Sequence, residues 1–433
     1  MSFDYPVSCA TLENGTRVLI SEDHLVPEVS INISVNVGSR HEVPGQTGLA
    51  HLFEHLMFEG SANVAEGEHF ALLMGHGGRC NATTSFDLTT YFQTVPSGAA
   101  ELALWLEADR HTRLLPALTQ QNLDNQRDVV VEEKRQRCDN QPYGDALEAM
   151  CAITFTHDHP YRHTPIGSME DLGAASLETV RDFYATHYQP PRRIVTMVGD
   201  VTPEEGNAWA RRYFGEPGTT EVATAAEPAP VPKAETAALP PHAAHQRLPM
   251  SSAVPSDRLY ACFRLPEVNS PDFLACVLAL DLVAGVTSSR VQRRLVRSDE
   301  SAIDCAAGAL GLIDGTSLGY VVIDVAATST IDEVEASLCE ELGTFSTDGP
   351  HDERLAAVYA DNARAWLGAL GSIEDRADVI GRAMSTHGDP NYINTYVDRM
   401  RAISAEDIRR AAQHYLAPEA RGVVTYQRTA AGA

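Results

Sequence analysis

Hydrophobic and polar positions along the chain fall into recognisable periods. Residues 30–37 (SINISVNV) alternate strictly, which predicts a half-buried strand. Upstream, Asn14-Gly15 between short apolar runs predicts a hairpin. The run GLAHLFEHLMFEG at 48–60 is apolar on nearly every side and predicts a buried helix. NATTSFDLTTYF at 81–92, rich in β-branched and aromatic residues, predicts a strand. Helical patterns follow at 98–114 and 118–137, then a strand at 193–198. Residues 217–248 are rich in Ala, Pro and Thr with no apolar period, and read as a linker between a first domain (1–216) and a second (249–433).

The two parts share a pattern. SLETVR at 176–181, His187-Tyr188 and Pro190 precede RRIVTMVG, and SAEDIR at 404–409, His414-Tyr415 and Pro418 precede RGVVTYQ. A helix, a Pro stop and a β-branched strand recur in one order, as in an internal repeat. The apolar helix of the second part, at 273–280, carries no His or Glu. One part would hold chemistry and the other would serve as wall.

Composition narrows the class. At 433 residues the chain exceeds what one core usually organises. No stretch approaches the roughly 18 apolar residues of a membrane span. The start has neither a basic n-region nor an apolar h-region, and the 8 Cys include no CxxC pair, so reduced thiols and a cytoplasmic location are expected. Acidic residues number 59 against 33 basic, a net charge of −26, which argues against nucleic-acid or anionic-membrane partners.

Candidate chemistry lies in the buried helix. His51 and His55, four residues apart, share one helical face. Neutral imidazoles are good zinc ligands, and catalytic zinc typically takes three protein ligands plus a water. Glu54 could take a proton from that water, the chemistry of metal-assisted peptide hydrolysis. The competing reading is an ordinary buried His pair, but two His and a Glu buried without partners would cost several kcal/mol. The third ligand is sought in RDVVVEEK at 127–134, where spacing alone does not choose between Glu132 and Glu133.

Together these segments resemble the pitrilysin (M16) zinc peptidases, and within them the branch of mitochondrial processing peptidase and its bacterial relatives. The resemblance covers almost the whole chain: Gly38-Ser39-Arg40, His51 to His55, NATTSFDLTTYF, RDVVVEEKRQRCDNQPYG, HPYRHTPIG, and Phe183 through Asp200. It implies an α+β fold of two similar halves, each an antiparallel sheet flanked by helices, enclosing a chamber. It implies Zn2+ on His51, His55 and Glu133 (the V-x-x-E register from Val130, with Glu132 second), and Glu54 as general base. Peptide would add as a strand at Asn81, Ala82, Thr83 and Thr84, with Phe86 beside them. The function implied is a zinc endopeptidase acting on short extended peptides; a non-catalytic core subunit of such an assembly is the alternative.

Two departures stand out. Many relatives carry a Glu one heptad before the third ligand, where this chain has Gln126. Many also carry an Arg and a Tyr in the second half that help hold the substrate carbonyl; here Arg297 is followed by 298–305 with no Tyr. A dimer is therefore expected, with a second M16-like subunit supplying that pair, or a homodimer.

Overall fold

The computed structural model describes residues 4–215, 235–241 and 246–429. Much of the expected linker at 217–248 lies outside them. Within its described part, the backbone N–H of Thr236 donates to Asp314, and a strand already begins at Arg247. No helix among the described residues is long and apolar enough to cross a membrane.

The first sheet contains β1 (Ser8–Thr11), β2 (Arg17–Glu22), β3 (Glu28–Val35), β4 (Arg79–Thr84), β5 (Thr89–Pro96) and β6 (Arg193–Gly199), in the order β1-β2-β6-β3-β5-β4. The second contains β7 (Arg247–Ser252), β8 (Arg258–Pro266), β9 (Ala302–Leu310), β10 (Thr316–Val325) and β11 (Gly422–Arg428), in the order β7-β11-β8-β10-β9. Without β1, the two orders correspond strand for strand. Both sheets are antiparallel except for one pair each, β2 with β6 and β7 with β11. The repeated helix–Pro–strand segment ends in β6 and β11, which hold the same place in their sheets.

Helices α1 (Leu49–Leu56), α2 (Glu68–Gly75), α3 (Ala100–Arg113) and α4 (Gln120–Lys134) accompany the first sheet, and α5 (Ala146–Thr154) the second. The Asn14-Gly15 hairpin forms as expected, pairing β1 with β2. The single strand expected at 81–92 is a hairpin, β4–β5, turning where the Ser85 N–H donates to the Leu88 carbonyl. Composition sees β-branched residues but not the turn between them.

Each compact unit draws on both ends of the chain. One unit comprises Met1–Glu132, Thr164–Pro232 and Trp366–Tyr396; the other comprises Glu133–His163, Lys233–Ala365 and Val397–Ala433. This differs from the contiguous division expected at 216 and 249, and the cause is visible at β3. Val29, Ile31, Ile33 and Val35 enter a core with Leu52, Phe53 and Leu56. Ser30, Asn32 and Ser34, expected in water, are also buried. The helix Ile373–His387 covers them: Gly381 has no side chain to block Ser34 Oγ, and Ser385 Oγ donates to Asn36 at 2.7 Å. Glu374 of that helix accepts from Thr94 Oγ1 at 2.9 Å and Arg79 Nε at 2.8 Å. In the other unit α5 lies on β8 and β11, where Tyr426 donates to Asp145 at 2.5 Å and Arg264 to the Thr154 carbonyl at 2.6 Å.

Four imidazoles in the first unit are held neutral by burial. His41 and His69 are lowered to about 3, with Arg40 and Arg110 respectively adding repulsion, and His111 and His187 to about 4. Exposed His24, between Asp200 and Glu22, shifts upward and acts in the opposite sense. Because the unfolded chain binds protons at these four sites near pH 6.5 and the folded chain does not, stability is full above that pH and is lost as pH falls toward 4. The melting temperature should drop by roughly 5 °C or more between pH 7 and pH 5. An unchanged value across that interval would count against neutral burial.

Candidate metal centre

The first turn of α1 is built around a carboxylate. Gly48 precedes it with φ +94°, a left-handed conformation that suits glycine. Glu42, buried, accepts from the Gly48 N–H at 2.9 Å and the Ala50 N–H at 2.7 Å. Two N–H groups left over at the helix start are thereby satisfied by a negative charge at the positive end of the dipole. Glu42 was not legible as a cap, because it reaches back across six residues rather than the three of a capping box.

Leu49, Ala50, Leu52, Phe53 and Leu56 of α1 enter the core. What remains is the stripe of His51, Glu54 and His55. The two imidazole rings meet edge to face, their centroids 4.8 Å apart. Glu54 is 9 % exposed, and its Oε2 accepts from Thr84 Oγ1 at 2.5 Å. Behind it, the buried Tyr91 and Tyr188 hydroxyls are 2.8 Å apart. Burial first, then each other, and then the Glu54 charge keep the Tyr91 phenol protonated far above its ordinary range.

Helix α4 brings the third group. Leu123 and Val130 are fully buried and fix which side of α4 faces inward. Glu133, one turn beyond Val130, is half-buried, whereas Glu132 is exposed. The division between the units falls between these two residues, inside one continuous helix, so Glu133 is carried on the last turn of α4. One ligand atom each of His51, His55 and Glu133 lie within 4.8 Å of one another. Arg137, largely exposed, pairs with Glu133 Oε1 at 2.6 Å.

Two imidazoles and one carboxylate form a donor set suited to zinc with an open fourth position. Donors on one tetrahedral zinc stand roughly 3.3–3.5 Å apart, so small side-chain rotations close the observed group onto an ion.

A buried ionic cluster supports the end of this helix. Glu107 accepts from Arg110 through both oxygens, at 2.9 and 2.5 Å. The Arg110 guanidinium lies 4.3 Å from the ring centre of Phe58 and 4.7 Å from that of Tyr91. Despite the desolvation that opposes it, Arg110 holds the Glu107 carboxyl down at about 2.

The remaining expected residues are distributed as follows. β4 is the edge of its sheet, paired through β5 alone. Asn81 and Thr83 are exposed on it and Ala82 is buried. Thr84 turns its hydroxyl to Glu54, a role the sequence did not suggest. Phe86 is buried beneath a turn whose carbonyls at Ser85 and Phe86 accept from Ser39 and Arg40. Gln126 donates to Glu59 at 2.6 Å. In the second unit Arg297 donates to the Thr287 carbonyl at 2.9 Å, and Ile303 stands exposed on the edge strand β9.

The site just described is a His/His/Glu group within a two-sheet α+β chain. Residues 17–165 match the model of insulinase (peptidase family M16), and residues 174–360 match the peptidase M16 inactive domain. The chain belongs to peptidase family M16. It is 34% identical to the zinc protease PqqE of Helicobacter pylori over 205 residues, covering 47% of this chain and 46% of that protein. It is 27% identical over 223 residues to a probable mitochondrial-processing peptidase subunit beta of Arabidopsis thaliana, covering 51% and 41%. The alignment thus spans about half the length of these curated relatives. Over its greater length, 94% of this chain and 86% of the other, it is 22% identical to an uncharacterized zinc protease of Streptomyces coelicolor. The fold is shared with the crystal structure of a protease from Helicobacter pylori (TM-score 0.86, 23% identity, 98% of this chain and 100% of that one). It is also shared with a putative M16-like peptidase from Alicyclobacillus acidocaldarius (TM-score 0.81, 18% identity, 98% and 99%).

Glu133→Gln should weaken zinc binding by about tenfold or more, while Glu132→Gln leaves it near wild type. Titration against a chromogenic chelator measures both. Equal losses in the two variants would remove the distinction between neighbouring carboxylates.

Proposed function

We propose that this chain is a zinc-dependent endopeptidase that cleaves short, extended peptides as the metal-bearing subunit of a dimer. The observation that carries this reading is the convergence of His51, His55 and Glu133 with Glu54 on the same helical stripe. His51, His55 and Glu133 would hold the zinc. Zinc in such a site polarises a carbonyl and acidifies water near neutral pH. Glu54 accepts the proton from the attacking water and returns it to the leaving amine. Thr84 Oγ1, donating to Oε2, fixes the rotation of that carboxylate. Because Thr84 ends the edge strand β4, that strand touches the base directly through its last residue. An extended peptide that adds to β4 gains backbone hydrogen bonds independent of its side chains.

The dimer follows from a missing electrophile. A donor aimed at the developing oxyanion is worth several kcal/mol, and 298–305 contains no Tyr. Arg297 donates to a backbone carbonyl of its own unit. A second M16-like subunit, in a heterodimer or a homodimer, supplies that donor in this reading.

Glu54→Gln should retain zinc and lose cleavage of an unstructured peptide by about 10²–10⁴-fold. His51→Ala and His55→Ala should lose both zinc and cleavage. Wild-type turnover by Glu54→Gln would refute the base assignment. A purified wild-type chain that holds no zinc yet keeps normal stability would favour a structural subunit instead. Robust cleavage by the isolated, monomeric chain would rule out the need for a partner.

A further inference from the structure

Gln126 stands where the resemblance to the pitrilysin family implies a carboxylate, and the structure shows what it touches. Its Nε2 donates to Glu59 Oε1 at 2.6 Å. The other oxygen of Glu59, Oε2, accepts from Asn122 Nδ2 at 2.9 Å. Asn122 and Gln126 are four residues apart and so lie on one face of α4. Glu59 follows the end of α1 directly, on a turn in which its N–H donates to the Leu56 carbonyl. Among the described residues Glu59 has no cationic partner, so its charge is held by two amides. Asn122 uses its remaining oxygen on the Thr119 N–H at 3.1 Å, ahead of α4. Both Glu59 oxygens and both ends of the Asn122 amide therefore have a definite partner.

We infer that Glu59, Gln126 and Asn122 form a clamp that sets the rotation of α4 and thereby aims Glu133 at His51 and His55. This rests on the proposed metal site and deepens it. The clamp joins the end of the helix bearing both histidines to the helix bearing the carboxylate. Gln126 and Glu133 are seven residues apart, so they lie about 20° apart around α4 and roughly 10 Å apart along it. A rotation of α4 by about 20° would carry a carboxylate some 6 Å from the axis sideways by about 2 Å, enough to break a metal–ligand bond. Gln126 is then a matched donor rather than a lost acid: a Glu there would set two carboxylates at hydrogen-bond distance. The three residues are positioning residues, acting on the metal through Glu133.

Exchanging the pair tests this. Zinc affinity is measured by chelator competition, and folding by urea denaturation of the metal-free chain, for wild type, Gln126→Glu, Glu59→Gln and the double variant. Gln126→Glu should bind zinc about tenfold or more weakly. The double variant restores one amide and one carboxylate with the donor reversed, and should return to within about threefold of wild type. Glu59→Gln, which leaves two amides able to pair, should lose less than Gln126→Glu. If Gln126→Glu fails to fold, a folded, zinc-binding double variant still supports the clamp, and an unfolded double variant overturns it. Wild-type affinity in Gln126→Glu, or a double variant no better than that single one, also overturns it. A wild-type chain that binds no zinc overturns the metal reading and the clamp together, whereas failure among the variants alone overturns only the clamp.

Discussion

Burial of α1 is the constraint on which the rest of the structure depends. Five of its eight residues are apolar and enter the core, so the helix cannot rotate without exposing Leu52, Phe53 or Leu56. Fully burying one such side chain contributes roughly 1.5–3 kcal/mol, and the three together hold the helix by several times thermal energy. The polar stripe of His51, Glu54 and His55 is thereby fixed in direction. Glu42 caps the start of this helix and the Phe58–Arg110–Glu107 cluster supports the chain beyond its end, so it is held at both ends as well as along its side.

The same architecture occurs twice, but among the described residues the His/His/Glu group occurs only once. The second unit repeats the strand order and the position of its parallel pair. Its helix at the place of α1, Phe273–Leu280, reads FLACVLAL and has no polar stripe. A helix buried on all sides is stabilised by packing alone and needs no ion to satisfy it. A helix with two imidazoles and a carboxylate half inside the protein needs polar neighbours, and here Thr84 of β4 donates to Glu54 while a carboxylate oxygen of Glu133 on α4 lies within 4.8 Å of both imidazoles. The repeat supplies a scaffold, and His51, Glu54 and His55 distinguish α1 from its all-apolar counterpart.

Legibility differed by the range of the interaction. The hairpin at Asn14-Gly15, the buried helix and the repeat were readable because each depends on neighbours within a few residues. The β4–β5 turn was missed because Ser85 and Asp87 sit inside a β-branched run that masks them. The burial of Ser30, Asn32 and Ser34 was invisible for another reason: the helix that covers them begins at Ile373, more than 300 residues later. Local alternation reports that one face of β3 is polar, but says nothing of what lies against it. The division into units failed to follow sequence order for the same cause, since 133–163 and 366–396 each join the unit built mainly from the other part of the chain.

The sequence by itself determined the helical spacing that puts His51 and His55 on one face and the doubled pattern of the fold, because helical and strand periods are properties of consecutive residues. Only the tertiary structure brought Glu133 within 4.8 Å of both imidazoles, gave Thr84 its place on Glu54, and paired Gln126 with Glu59. Those outcomes depend on how two helices and a sheet edge are rotated against one another. That rotation is set by burial of Val130, Leu123 and Phe53 in a shared core, which no local window of residues contains.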